Sequence, residues 1–424
     1  MPPRAWRQFL GLNPSTLSLL AAILLVTSAT ELWSPLVPKV IDRLGGSILL
    51  IAAYGTLRDF LETVNYLAGG AIAGRFNTRR ALLLFNALPL VGLGILLGWS
   101  SRYAPLAAVP FVFVWDSIAG PATLTVVGQT LAPEHRTMAF SLQSIFRRVA
   151  RIVAYSISAA ALWVAGRRTA EGGGLIHGFQ LGVLLGIAAV LIALGVQWRY
   201  MRTAAVDMGV VVHRPFAVLR SFDPQLKRLL ASDILARWAE GIPREFIILY
   251  CVTVIGGAVD HAAAIYSSVL LNTQAVVNII LYVLVGPFAS RAGLAKKPFI
   301  GLSFVFFALF PLALSAFGSA FGLIGLIAAF VVGGVRELGE PARKAMVTEL
   351  VPPQHKVQAI GIYWGLRSAA VCLAPLMGGS LWWLGQRFAL GPHLMLLTAA
   401  AAGLLGAAYF YLFFGARSGL NPER

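Results

Sequence analysis

Apolar residues fall along this chain in long runs separated by short polar turns. Runs such as Ala81–Trp99, Phe179–Trp198 and Leu394–Phe414 each approach the roughly 20 residues that a helix needs to cross the hydrocarbon core. None alternates polarity at every second residue, as a barrel strand would. Backbone facing lipid must satisfy its own hydrogen bonds, which leaves helices. The pattern predicts helices at 15–38, 48–73, 81–99, 105–130, 138–165, 179–198, 229–255, 262–288, 298–317, 320–348, 357–385 and 392–414. They fall as six, a hydrophilic stretch, and six. The expected fold class is an all-α polytopic membrane protein of twelve transmembrane helices in two pseudo-symmetric halves. These are 1–199 and 229–424, joined by a cytoplasmic linker at 200–228.

An internal repeat supports the division. Pro121, Ala122, Val127, Pro133, His135, Ala139 and Arg147 recur 220 positions later as Pro341, Ala342, Val347, Pro353, His355, Ala359 and Arg367. The offset holds without a gap through a turn and both flanking apolar segments. Membrane transporters are often built from such repeats, with a site between them.

Composition agrees with the pattern and narrows it. Hydrophobic residues make up 58% of the chain and charged residues 12%, with a net charge of +17. The basic residues sit in short loops, not on one polar face, so nucleic acid is not an expected partner. Eighteen loop arginines and lysines lie on the side of the termini and linker, and six on the other. By the positive-inside rule both termini are expected to be cytoplasmic. Arg4 and Arg7 precede an apolar run that reads as the first membrane helix, not as a cleavable signal. The two cysteines, Cys251 and Cys372, lie in apolar segments and suggest neither a disulfide nor a thiolate metal site.

Two turns carry a further pattern. Gly70-Ala-Ile-Ala-Gly74-Arg75-Phe-Asn77-Thr-Arg79-Arg80 lies between helices 2 and 3. Gly286-Pro-Phe-Ala-Ser290-Arg291-Ala-Gly293-Leu-Ala-Lys296-Lys297 lies between helices 8 and 9. With the six-plus-six arrangement, these turns resemble the glycine-led basic motif of the major facilitator superfamily of secondary transporters. The resemblance implies the major facilitator fold, with Gly70, Arg75, Arg79, Arg80, Gly286 and Arg291 as a cytoplasmic gate or turn motif. The family places an aspartate where Gly74 and Ser290 stand, and that aspartate helps latch the halves together.

Charge inside the apolar runs is the chemical signal. Nine acids and ten basic residues fall within the expected helices. A charge facing lipid at mid-membrane costs at least about 2.5–3.5 kcal/mol, so such groups pair, face water or snorkel. Glu31, Asp59, Glu62, Asp116, Arg147, Arg151, Arg237, Glu240, Glu337 and Arg367 are the candidate substrate- or proton-binding residues. Residues equally distant from a turn share a depth on consecutive antiparallel helices. Asp116 is therefore expected to pair with Arg147, Arg148 or Arg151, and Arg367 with Glu337 or Glu340. Arg148, Glu340, Arg343 and Lys344 lie nearer the cytoplasm and suit a gate or brace. Asp233, Arg237 and Glu240 are four and three apart and share one helix face, followed by Gly241 and Pro243, which should break the helix. Glu31 to Pro38, with Pro35 and Pro38, is a comparable stretch. Asp59 and Glu62 lie one turn apart, and such a carboxylate pair suits proton uptake and release.

The chain thus reads as a secondary active transporter of a small polar or charged solute, working by alternating access and coupled to protons. Its partners are then the solute and the lipid bilayer, a single copy is expected to suffice, and a bacterial inner membrane is the expected location. The alternatives are a transporter of a metal cation such as iron, with carboxylate ligands, and a non-transporting sensor or assembly factor. No nucleotide-binding loop, catalytic triad spacing, cofactor motif or resident-metal motif stands out, so an enzyme is not expected.

Overall fold

Prolines and glycines decide where the helices of this chain break. The computed structural model describes residues 14–73, 78–114, 133–168, 174–200, 215–255, 260–289, 296–351 and 356–414. In the amino-terminal part these residues form α1 (Pro14–Glu31), α2 (Val37–Arg43), α3 (Ile48–Ala73), α4 (Thr78–Gly98), α5 (Ala104–Val112), α6 (Pro133–Arg168) and α7 (Gly174–Tyr200). A short α8 (Pro215–Arg220) precedes α9 (Pro224–Gly241), α10 (Ile247–Ile255), α11 (Asp260–Ala289) and α12 (Lys297–Ala313). The chain ends with α13 (Ser319–Val335), α14 (Glu340–Leu350), α15 (Lys356–Val371), α16 (Ala374–Arg387) and α17 (His393–Phe413).

Four expected spans are each two helices. The first is α1 and α2 with one 3-10 turn, Ser34–Leu36, between them, and the seventh is α9 and α10. The tenth is α13 and α14, and the eleventh is α15 and α16. The sequence predicts breaks in the first and seventh; those in the tenth and eleventh are new. Their cause is the same. Proline opens α2, α14 and α16 at the first or second position, where its missing N–H costs nothing. One turn earlier its ring would clash with the preceding carbonyl, so the upstream helix stops. The fourth span, expected at 105–130, is described as α5; residues 115–132, with Asp116, lie outside the described residues.

The halves repeat at the level of packing. A Cβ on Gly186 of α7 would lie 3.1 Å from the carbonyl oxygen of Ala29 in α1. A Cβ on Gly406 of α17, 220 residues later, would lie 2.7 Å from the amide nitrogen of Ala236 in α9. Small residues allow helix backbones to approach closely where the lipid supplies no hydrophobic drive between helices. Near the start of α13 the chain kinks at Gly322, whose φ of +55° is open to glycine at little cost.

Among the described residues, six stretches are long and apolar enough to cross a membrane, including Gly174–Tyr200, His393–Phe413 and the doubled run Lys297–Leu350. Leucine, isoleucine, phenylalanine and tryptophan side chains remain exposed on their outer faces, including Leu191, Ile192, Trp198, Leu405 and Leu412. Water would penalise such a surface, whereas lipid tails solvate it.

Candidate functional site

The helix breaks and the intramembrane charges meet in one place. A cavity of about 430 Å³ lies between the halves. Its amino-terminal wall is Glu31, Ser34, Pro35 and Pro38 from the broken first span, Arg58 from α3, and Arg147, Arg148, Arg151 and Tyr155 from α6. The opposite wall includes Arg237, Glu240, Arg244 and Glu245 at the break of the seventh span, and Gln274 and Asn278 from α11. Arg336, Glu337, Glu340, Arg343 and Lys344 line it at the break of the tenth, and Trp364 and Arg367 in α15.

Helical spacing explains why so many charges reach one cavity. Arg147 and Arg151 are one turn apart on α6, as are Glu340 and Lys344 on α14, so each pair shares a face. Arg147 stands fourteen residues into α6, about 21 Å along its axis at 1.5 Å per residue. That places it well away from either end of the helix.

Each lining carboxylate is held by a cation. Glu31 Oε1 lies 2.6 Å from Arg151 Nε, and its other oxygen accepts from Tyr155 Oη at 2.9 Å. Glu240 accepts a hydrogen bond from Arg237 and lies 3.2 Å from Arg336 Nη2. Glu337 pairs with Arg336 at 3.4 Å and with Arg148 at 3.6 Å. Glu340 pairs with Lys344 at 2.6 Å and Arg148 at 3.7 Å, and accepts from Tyr282 Oη at 2.6 Å. Glu245 accepts from Arg244 Nε at 2.9 Å. Arg148 thus ties the amino-terminal half to two acids of the other.

Behind the wall, Asp233 is fully buried. It accepts from Arg343 and from Tyr363 Oη (3.2 Å), and lies 3.7 Å from Arg237 and 3.8 Å from Arg367. The guanidinium of Arg367 also lies 4.1 Å from the centre of the Trp364 ring. Equal depth on consecutive helices would pair Arg367 with Glu337 or Glu340. The carboxylate given to it is instead Asp233, because α9 packs beside α15 and delivers an acid from a third helix.

Of the ten candidate binding residues, the structure brings seven to the cavity: Glu31, Arg147, Arg151, Arg237, Glu240, Glu337 and Arg367. Asp59 and Glu62 on α3 do not line it. Asp59 is buried and accepts from Arg244 Nη2 at 2.7 Å. Glu62 is half-buried and makes no ion pair among the described residues. Asp116 lies outside the described residues. In the turn motif, Gly70 falls in α3, Arg79 and Arg80 open α4, and Gly286 falls in α11. The turns 74–77 and 290–295, with Arg75 and Arg291, lie outside the described residues. Sequence reasoning did not single out Tyr155 or Trp364. Each stands one turn from a cavity arginine, Arg151 and Arg367, and that spacing was the available signal.

No protein-family model matches the chain, and no curated protein matches it in sequence. Solved structures do match. The crystal structure of the nucleoside transporter NupG is 14% identical with a TM-score of 0.69, covering 96% of this chain and 100% of that one. A bacterial homologue of the iron transporter ferroportin, in the outward-facing state with soaked iron, is 15% identical with a TM-score of 0.65, covering 96% and 100%. FucP, a Major Facilitator Superfamily transporter in the outward conformation, is 15% identical with a TM-score of 0.62, covering 93% and 97%. The chain therefore has the major facilitator fold, an all-α membrane architecture of twelve transmembrane helices in two six-helix halves. The glycine-led basic turns pointed to the same fold.

Proposed function

We propose that the chain is a secondary active transporter that moves a small polar or charged solute by alternating access between its two halves. The observation that carries this reading is the cavity itself. It lies between the halves, is walled by both, and collects charged side chains at the breaks of the first, seventh and tenth spans. Irregular backbone and ionisable groups at membrane depth are expensive and tend to mark solute and ion pathways. NupG, a nucleoside transporter, and the homologue of the iron transporter ferroportin share the fold but differ in what their names say they carry, so fold alone does not choose a solute.

Iron is disfavoured by the same geometry. A hard cation needs several free carboxylate or carbonyl oxygens, and each lining carboxylate here is already paired with arginine or lysine. Proton coupling is supported by Glu62, a half-buried acid without an ion pair among the described residues, one turn from Asp59. A bacterial inner membrane, cytoplasmic termini and a single working copy complete the proposal.

The experiment is flux in proteoliposomes under an imposed pH gradient, with a panel of labelled anions, cations, nucleosides and sugars. Gradient-dependent accumulation of one class supports the reading. Flux indistinguishable from empty liposomes across the panel would leave the sensor or assembly role in its place.

A further inference from the structure

Charge inside the cavity does not cancel. Its lining carries ten cationic side chains and five carboxylates. Asp59 and Asp233 pair with lining arginines from behind and bring the carboxylates to seven, which leaves three cations in excess among the described residues. In a medium that screens charge poorly, such an excess is unfavourable until a counter-charge arrives.

The excess has a location. Arg147 is half-buried, its Nε is closed off from solvent, and no hydrogen bond or ion pair holds its guanidinium among the described residues. Its repeat counterpart 220 residues on, Arg367, lies 3.8 Å from Asp233. Among the described residues, the symmetry that gives both arginines a place in the cavity wall gives a carboxylate to Arg367 alone. Lys344, within electrostatic reach of Arg147, adds positive charge and is itself held by Glu340 at 2.6 Å. Lining atoms without a hydrogen-bond partner include Nε of Arg147, Arg237, Arg336 and Arg343 and Nε1 of Trp364; the acceptor among them is Asn278 Oδ1. The lining residues thus carry more unpartnered donors than acceptors. A guanidinium presents parallel N–H groups that fit a carboxylate or phosphate with two hydrogen bonds.

We propose that the cavity binds a small oxyanion, a carboxylate or phosphate compound, with its charged end on Arg147 and a further acceptor toward Trp364 Nε1. That this anion is also the transported solute rests on the reading given under Proposed function; the binding site rests on the cavity alone.

The test uses the purified full-length protein in detergent, with thermal unfolding and calorimetric titration at matched ionic strength. The probes are sodium phosphate, disodium succinate, choline chloride and glucose. Phosphate, succinate or both are expected to raise the unfolding midpoint saturably, and choline and glucose are not. A response to phosphate alone assigns a phosphate ligand, and to succinate alone a carboxylate. Arg147→Gln is expected to weaken the responding anion roughly ten- to hundredfold, the range for a lost charged hydrogen bond. Arg147→Lys keeps the charge, loses the fork and falls between. Trp364→Phe is expected to weaken binding severalfold, and it decides the matter if Arg147→Gln does not fold. No saturable shift with either anion, a saturable shift with choline, or an unchanged Kd in the folded variants overturns the proposal. Anion binding without gradient-driven flux in proteoliposomes would sink the transporter reading and leave this site standing. Gradient-driven uptake of a cation would do the reverse.

Discussion

Asp59 and Arg244 meet across the two halves, with Oδ1 of the acid 2.7 Å from Nη2 of the arginine. The adjacent pair is reversed in sign: Arg58 on α3 lies 3.9 Å from Glu245 in the break of the seventh span. Two consecutive residues on one half thus face two consecutive residues on the other, each acid against an arginine. This clasp closes between a continuous helix and a broken one. Arg244 and Glu245 both lie in the break of the seventh span, between α9 and α10.

Asp59→Asn and Arg244→Gln are each expected to lower stability by roughly 1.5–3 kcal/mol, the range for hydrogen bonds to charged groups. Their effects should not add, because the two residues share one interaction. A double-mutant cycle on the unfolding midpoint measures the coupling. Additive losses would show that the two side chains act independently and that the clasp is incidental.

Glycines let the halves approach closely beside the clasp. A Cβ on Gly55 would stand 2.6 Å from Glu245 Cγ, and one on Gly379 of α16 would stand 2.6 Å from Ala52 Cβ on α3. Gly379→Val should therefore wedge α16 from α3, at about 1–3 kcal/mol for overpacking. Ala52 is fully buried, so Ala52→Cys in a background lacking Cys251 and Cys372 reports the separation. Faster labelling by a membrane-impermeant maleimide is expected in the Gly379→Val background. Equal labelling with and without the valine would show that the contact yields without moving the helices.

Asp233 presents the opposite case, an acid set behind the cavity lining among the arginines of the wall. It is fully buried against Arg343, which is also buried, with Tyr363, Arg237 and Arg367 around it. Removing one partner of a buried ion pair leaves an uncompensated charge and costs about 3–5 kcal/mol. Asp233→Asn should accordingly lose most folded material in detergent size-exclusion chromatography. The double variant Asp233→Leu with Arg343→Leu should recover part of it, since two apolar groups of suitable size can replace a buried pair. If Asp233→Asn alone chromatographs and melts like the parent, this brace is not structural.

The helices and most of the cavity residues were legible in the chain, and the reasons differ from residue to residue. The run from Ile48 to Ala73 was bounded correctly because polar and small residues flank a long apolar stretch. Pro35 and Pro243 announced two of the breaks through chemistry that acts within a single turn. Glu31, Arg147 and Arg367 stood out because charge in an apolar run needs a reason. Partner choice was another matter. Offset from a turn sets depth along the helix. It carries no information on which third helix stands beside Arg367, so Asp233 of α9 was missed as its acid. Trp364 was one tryptophan among ten, and only its packing shows that its indole nitrogen faces no protein acceptor.

Asp59 and Glu62 are one signal in the sequence and two separate groups in the structure. Asp59 is bonded to Arg244 across the halves, whereas Glu62, one turn further along α3, is half-buried with no ion pair among the described residues. Asp59 is thus committed to a contact between the halves, whereas Glu62 is committed to no cation among the described residues. If protons drive transport through α3, Glu62 is the carrier and Asp59 the fastener. Glu62→Gln is then expected to abolish pH-gradient-driven accumulation in proteoliposomes while leaving solute exchange at equal pH within about twofold, a difference too small to reflect a lost binding interaction. Asp59→Asn is expected to lower stability and slow both modes together. Full gradient-driven accumulation by Glu62→Gln would remove α3 from the proton pathway, and coupling would then have to run through Glu31, Glu240 or Glu337, the three lining acids among the candidates named from the sequence.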